Sequence, residues 1–418
     1  MMTRRRLLAT AGIGTAVALV GCRDTTGTKP AGTPVSVGDV LVVDVADGVT
    51  AVRGARVAPA LAAGVLSLDG ARLFSAEAAG DDTTLHTIDT RSGSVVDTRR
   101  LAGRWVPRAG SADGRLVALT APDGPGATAF LPAGRRRTEI VVAGADTEPV
   151  RLDLPGNLVP DAFTAGGDGL FVLDWLPATA PRHYRVRCVD LASRALTPLN
   201  TIAKVPVPPG AEEEMAGEGR LAVFNPGQSM LYTLYTHQPD HRHTRDRLAG
   251  RSTGVHAFVH SLNLIARWAY CVDLPAPFGE GTGTAHTIAA DPDERSVYVL
   301  DAASGSLAVI NAALLGSGTP EQPAVVSVPR SGGTAYAAAA RDLLFLSGDS
   351  SVHVVRPRDG SVLATWPVAG GIRGLAASRD GSRLYVGLPD RVAVLDAATG
   401  TGLGDVAVAG LVTLRRAI

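Results

Sequence analysis

Five of the nine histidines fall between positions 237 and 260: His237, His241, His243, His256 and His260, with Asp240 and Asp246 among them. Imidazole nitrogens beside a carboxylate suit Zn²⁺ or another borderline metal ion. His241 and His243 are two apart, so in extended chain their side chains project the same way. His256 and His260 share a face if their segment is a strand. Neither a zinc-finger spacing nor an HExxH helix is present. The same residues therefore also read as a solvated polar loop whose histidines face the core only at strand ends. A hydrogen-bonded pocket for a non-metal ligand is the third reading. Arg242, Arg245, Arg247 and Arg251 in this stretch would pair with an anion or simply keep the loop soluble.

Other reactive arrangements are scarce. Cys188 and Cys271 each stand in the string Cys-Val-Asp-Leu. A bridge needs Cα atoms within about 7 Å, and equivalent strands of adjacent sheets lie farther apart. Two buried thiols are favoured over a disulfide. No Gly-x-Ser-x-Gly elbow stands between a strand and a helix. The glycines at 279–283 lack a following helix and lysine, so they make no phosphate cradle. Aspartate is abundant, but most copies sit in turns, where the carboxylate accepts backbone hydrogen bonds. Trp105, Trp175, Trp268 and Trp366 are read as plugs between packed sheets. With 40 Lys+Arg against 40 Asp+Glu, no basic excess points to nucleic acid.

The elements that must carry these residues are strands. Beyond residue 37, apolar runs of four to eight residues alternate with Gly/Asp/Pro turns, and no long amphipathic helix is evident. The chain has 48 Gly and 27 Pro among 418 residues. A unit recurs. Residues 374–408 and 286–313 share a small-residue strand, an acidic turn, a Leu/Val-Tyr-Val strand and a further apolar strand ending in Asp or Asn. Weaker copies occupy 66–98 and 111–121. Asp-Gly pairs at 113–114, 359–360 and 380–381 suit tight hairpins that need positive φ. The pattern resembles the YVTN-type β-propeller repeats of bacterial surface proteins over most of 60–410. It lacks the Trp-Asp endings of WD40 repeats. The resemblance implies an all-β fold, a single β-propeller, and says nothing of activity.

Blade ends are placed at Asp44, Asp89, Asp146, Asp190, Asn263, Asn311, Arg356 and Asp396, each read as the close of a third strand. Eight blades are favoured slightly over seven. The first combines strands near 40–53 with the C-terminal LVTLRRAI, so that both chain ends close one sheet. The step from Asp190 to Asn263 is the longest and marks an insertion around 236–256, in the blade covering 216–276. Propellers bind ligands at the channel mouth or on long loops, which makes this insertion the first place to look.

The N-terminus supplies an address. Thr3-Arg4-Arg5-Arg6-Leu7-Leu8 resembles a twin-arginine export signal, and the apolar run to Val20 is too short to span a membrane comfortably. Leu19-Val20-Gly21-Cys22 resembles a lipobox, which implies lipidation of Cys22 and cleavage before it. The expected organisation is a signal peptide at 1–21, a lipidated Cys22 and flexible tether at 22–37, and a propeller at 38–418. The expected protein is an extracytoplasmic lipoprotein on the outer face of a bacterial cytoplasmic membrane, held by lipid through Cys22. It would act as a binding or scaffold module, beside an envelope protein or transporter, without catalysis of its own. The alternatives are a zinc-handling lipoprotein using the five histidines and a propeller enzyme of lactonase or dehydrogenase type.

Overall fold

A computed structural model describes residues 35–418 apart from 62–63, 129, 253, 316 and 318–321. The expected signal peptide at 1–21, Cys22 and most of the expected tether lie outside the described residues. The described chain forms eight four-stranded antiparallel sheets, the blades of an eight-bladed β-propeller. Seven blades follow one another along the chain, each built in chain order from its innermost strand outward; blade 1 runs from Gly64 to Leu101, blade 2 from Val106 to Pro155, blade 5 from His286 to Ser327, blade 6 from Ala337 to Pro367 and blade 7 from Leu375 to Ala407. Blade 3 consists of Asn157–Phe163, Gly169–Leu176, His183–Asp190 and Leu196–Pro198. Blade 4 consists of Leu221–Phe224, Met230–Tyr235, Ala257–Asn263 and Ala269–Leu274.

Blade 8 is the exception. Its first strand is the C-terminal Leu411–Ala417, and the N-terminal Val37–Val45, Gly48–Gly54 and Arg56–Val57 complete it. Val37–Val45 pairs antiparallel with the C-terminal strand, from Leu41 opposite Ala417 to Val45 opposite Leu411. Arg415 reinforces the joint by donating from Nε to Asp44 Oδ2 at 2.8 Å. The expected closure therefore holds, with one correction to the blade ends. Asp44 lies near the end of a second strand, not a third, because the chain's last residues take the first position. Asp89, Asp190, Asn263, Asn311, Arg356 and Asp396 do close third strands, whereas Asp146 lies in the turn two residues past the strand end at Gly144.

The repeating turns explain the aspartates. Asp89, Asp190 and Asp396 accept from the backbone N–H of Ser92, Ser193 and Thr399 at 2.8–2.9 Å. Gly114, Gly360 and Gly381, each following an aspartate, take φ of 68°, 74° and 67°. Around the axis, space is tight. A Cβ added to Gly110, in the first strand of blade 2, would stand 2.8 Å from the Leu66 carbonyl oxygen of blade 1. Backbone cannot yield there as a side chain does. Gly110→Val is expected to cost about 1–3 kcal/mol, read as a lower denaturation midpoint with an unchanged slope.

Apolar faces of adjacent blades interlock as separate core clusters. One joins Phe74 and Leu85 of blade 1 to Val117 and Leu119 of blade 2, with Trp105 in the gap. Another packs Phe345 of blade 6 against Leu384 of blade 7, with Trp366 between. The largest lies between blades 3 and 4 and contains Trp175, Tyr184, Tyr235, Phe258, Cys188 and Cys271. Both cysteines are buried free thiols. They do not occupy equivalent strands, since Cys188 is on the third strand of blade 3 and Cys271 on the fourth of blade 4.

Candidate metal centre

Blades 3 and 4 are joined by an extended connection, 199–220, and blade 4 carries the insertion at 236–256. The long step from Asp190 to Asn263 is thus two features, not the single insertion read from the sequence. The connection is fixed at three points. Asn200 bridges to Trp268, Asn200 also to Pro206, and Met215 pairs with Tyr184 through N–H···O contacts of 2.9 and 2.8 Å. The insertion folds back through an antiparallel bridge between His241 and Val255 and contains one short helix, Thr244–Leu248. Together they bring Glu213 from one segment against His241 and His243 from the other.

His241 and His243 are buried, 5% and 1% exposed, and their rings meet edge to face at 4.8 Å. His241 stacks on Phe258 at 4.3 Å and His243 stands edge-on to the same ring at 4.9 Å. The two side chains do project together, as the spacing of two predicts. His241 Nε2 and His243 Nδ1 each lie 3.5 Å from the same atom, Glu213 Oε2. Both nitrogens are buried without a hydrogen bond. Buried polar atoms are rarely left so.

Their other ring nitrogens are held. His243 Nε2 lies 2.6 Å from Asp273 Oδ1, and His241 Nδ1 lies 3.1 Å from the Glu214 carbonyl oxygen. These outer partners fix each ring so that its inward nitrogen, once unprotonated, faces Glu213, the arrangement by which outer partners orient metal-ligating histidines. Glu213 is oriented too, since the Thr244 N–H donates to its Oε1 at 2.9 Å. Cys271 Sγ reaches Glu213 Oε2 at 3.1 Å. Cys271 is directly opposite His260 across the third and fourth strands. The donor atoms form two overlapping groups, Glu213–His241–His243 and Glu213–His260–Cys271, each within 4.8 Å.

The electrostatics follow from burial and charge. Burial alone would raise the Glu213 carboxyl, but His241 and His243 facing it hold it well below the usual carboxylate range. Burial would likewise lower His243, yet Asp273 and Glu213 lift it to about 9. His260 has no such partner in contact, and burial drops it to about 4. Burial and the adjacent Glu213 push the Cys271 thiol well above its ordinary value.

His237 and His256 do not join the centre. Their rings face one another at 6.3 Å. His256 is exposed, precedes the strand that carries His260, and its Nε2 lies 2.7 Å from the Gly279 carbonyl oxygen. The shared face expected for His256 and His260 therefore fails. His237 Nδ1 is engaged by the Thr236 hydroxyl at 2.8 Å. The arginines of the insertion are partly consumed internally: Arg245 pairs with Asp273 at 2.9 Å and Arg251 with Asp246 at 2.7 Å. Sequence reasoning missed Glu213, Cys271 as a donor, and Asp273. The Glu212-Glu213-Glu214 run within the same long step was the one available signal.

Next to the centre lies a cavity of about 210 Å³. Its walls include Val186, Leu199, Ile202 and Val207, and Glu213, His260 and Cys271 border it. The third strand of blade 3, the third and fourth strands of blade 4, the 199–220 connection and the Thr244–Leu248 helix form it. It is therefore at the periphery between blades, not at the channel mouth.

No protein-family model matches the chain, and neither does any curated protein. Solved structures do resemble it. AztD from Citrobacter koseri superposes with a TM-score of 0.55 at 11% identity, covering 91% of this chain and 96% of that one. The dihydro-heme d1 dehydrogenase NirN, in complex with DHE, superposes with a TM-score of 0.53 at 13% identity, covering 93% and 76%. Identities this low speak for the fold alone. The likeness agrees with the blade arrangement above, that of a β-propeller module.

Proposed function

We propose that this propeller holds one Zn²⁺-class ion between blades 3 and 4 through the Glu213–His241–His243 group, with the Cys271 thiol, 3.1 Å from Glu213 Oε2 in the neighbouring group, closing on the ion as a fourth ligand. The observation that carries this reading is the pair of buried, unbonded imidazole nitrogens aimed at one carboxylate oxygen while their opposite nitrogens are fixed. Tetrahedral coordination with bonds of roughly 2.1 Å has donor–donor edges of about 3.4 Å, close to the two 3.5 Å separations seen here. A divalent ion with the Glu213 carboxylate and the Cys271 thiolate sums to zero charge, which a buried site requires. A mixed nitrogen, oxygen and sulfur set favours zinc over magnesium or calcium.

The role that fits is capture or carriage of a metal outside the cytoplasm. Support for the location comes from the arginine run at 4–6 and the Leu19–Cys22 string, which together read as export followed by lipid attachment. Cys22→Ala is expected to move the protein from the membrane fraction to the soluble fraction, or to leave an unprocessed precursor. Mass spectrometry of the native N-terminus is expected to find acylated Cys22.

The metal reading is tested by loading the purified protein with zinc, washing, and measuring bound metal by elemental analysis. One equivalent per chain is expected, and less than about 0.1 equivalent contradicts it. Binding should also depend steeply on pH. With His243 near 9 and the Cys271 thiol above its usual range, both are protonated in the empty site at neutral pH. Binding one ion must expel both protons. The apparent affinity should therefore rise about 100-fold per pH unit between roughly pH 7 and 8, measured by competition with a chelator of known pH behaviour.

A further inference from the structure

We propose that the ion reaches this centre by way of a second, outer position made by Glu213, His260 and Cys271, from which it passes to His241 and His243 by ligand exchange. This rests on the metal reading above. The donor atoms fall into two groups that share Glu213. Its Oε2 is the common atom, 3.5 Å from the inward nitrogens of His241 and His243 and 3.1 Å from Cys271 Sγ. His260 and Cys271 are directly opposite on adjacent antiparallel strands, so their side chains leave the sheet on one face. His260 is only 3% exposed, and its ring makes no hydrogen bond among the described residues. A buried imidazole without a partner is unusual, and the four ligands of the resting ion leave this one unused.

The cavity sets the order of the two positions. Glu213, His260 and Cys271 line it, whereas His241 and His243 do not. Its lining extends from Leu248, 54% exposed, to Cys271, 2% exposed, so an ion entering from solvent meets the outer donors first. Glu212 and Arg245 line it too, but their charges are already matched. Glu212 accepts from Arg185 and Arg187 at 2.7–2.9 Å, and Arg245 donates to Asp273 at 2.9 Å.

The exchange keeps both coordination and charge in balance. Glu213 and the Cys271 thiolate stay on the ion throughout. In the outer position His260 and one of the ion's own waters complete a tetrahedron; His241 and His243 then replace them. Cys271 releases its proton when the ion first binds, and His243 releases its own when the ion arrives. Two ions at once would leave two uncompensated positive charges in a buried site. The inner position is favoured at equilibrium, because it has two imidazoles fixed by outer partners against one that has none.

Stopped-flow transfer of zinc from, and back to, a chromophoric chelator tests this on the full chain. Losing a partner outside the coordination sphere typically costs about 10–100-fold, and losing a ligand of the outer position costs no less. His260→Leu is therefore expected to keep one equivalent of zinc with unchanged affinity, while uptake and release both slow by at least about 10-fold. His260→Cys, which restores a donor, is expected to recover most of both rates, a rescue that altered packing would not give. Ile202→Trp, which narrows the cavity from a partly exposed connection, is expected to slow both rates as well. Failure of the unaltered protein to hold zinc would overturn the metal reading and this proposal together. One equivalent of zinc with unchanged rates in His260→Leu or in Ile202→Trp would overturn this proposal alone. So would slow transfer that His260→Cys does not rescue, or two equivalents held by the unaltered protein.

Discussion

Replacing His241 and His243 together with alanine is expected to weaken zinc binding by more than about 1,000-fold. The estimate follows from the positions of the two rings. Partners outside the first coordination sphere typically contribute about 10–100-fold, and this change removes two nitrogens that face the ion directly. Asp273→Asn provides the graded comparison. Its Oδ1 holds His243 Nε2 at 2.6 Å, so losing its charge should weaken binding by about 10–100-fold without removing a donor. His237→Ala and His256→Ala should leave affinity unchanged, because neither ring reaches Glu213. A chelator competition series across these variants checks the ranking. Equal losses at all four histidines would indicate loose surface binding in place of a built centre.

The second large effect concerns closure. Removal of residues 411–418 is expected to abolish cooperative folding. The C-terminal strand supplies Leu411 and Leu414, 4% and 3% exposed, and the guanidinium of Arg415 against Asp44. Each leucine lost from a core costs about 2–5 kcal/mol, and a domain's net stability is only about 5–15 kcal/mol. Truncation also bares the backbone edge of Val37–Val45, a template for aggregation. Circular dichroism should show no sigmoidal melt, whereas Leu414→Ala should melt cooperatively at a lower temperature. A truncated chain that melts like the whole one would mean the ring does not depend on its clasp.

What the sequence disclosed, and what it withheld, follows from the range of the interactions. Asp-Gly hairpins, alternating apolar runs and the spacing of strand ends are local, and they yield eight blades and a terminal clasp. Asp44 was placed on the wrong strand because its partner strand lies at the far end of the chain. The centre was half legible. His241 and His243 are neighbours in sequence, and their common direction could be read from a spacing of two. Glu213 comes from the connection between blades, Cys271 and Asp273 from the strand beyond His260. Only the folding of two loops over Phe258 brings them together. His237 and His256 share the same sequence cluster yet turn to Thr236 and Gly279, a choice set by local turns that composition does not encode.

X-ray absorption at the zinc edge of the loaded protein tests the central claim most directly. The account predicts one sulfur at about 2.3 Å and three nitrogen or oxygen donors near 2.0–2.1 Å, with the sulfur lost in Cys271→Ser. A spectrum of oxygen donors alone, or one unchanged when both His241 and His243 are replaced, would contradict it.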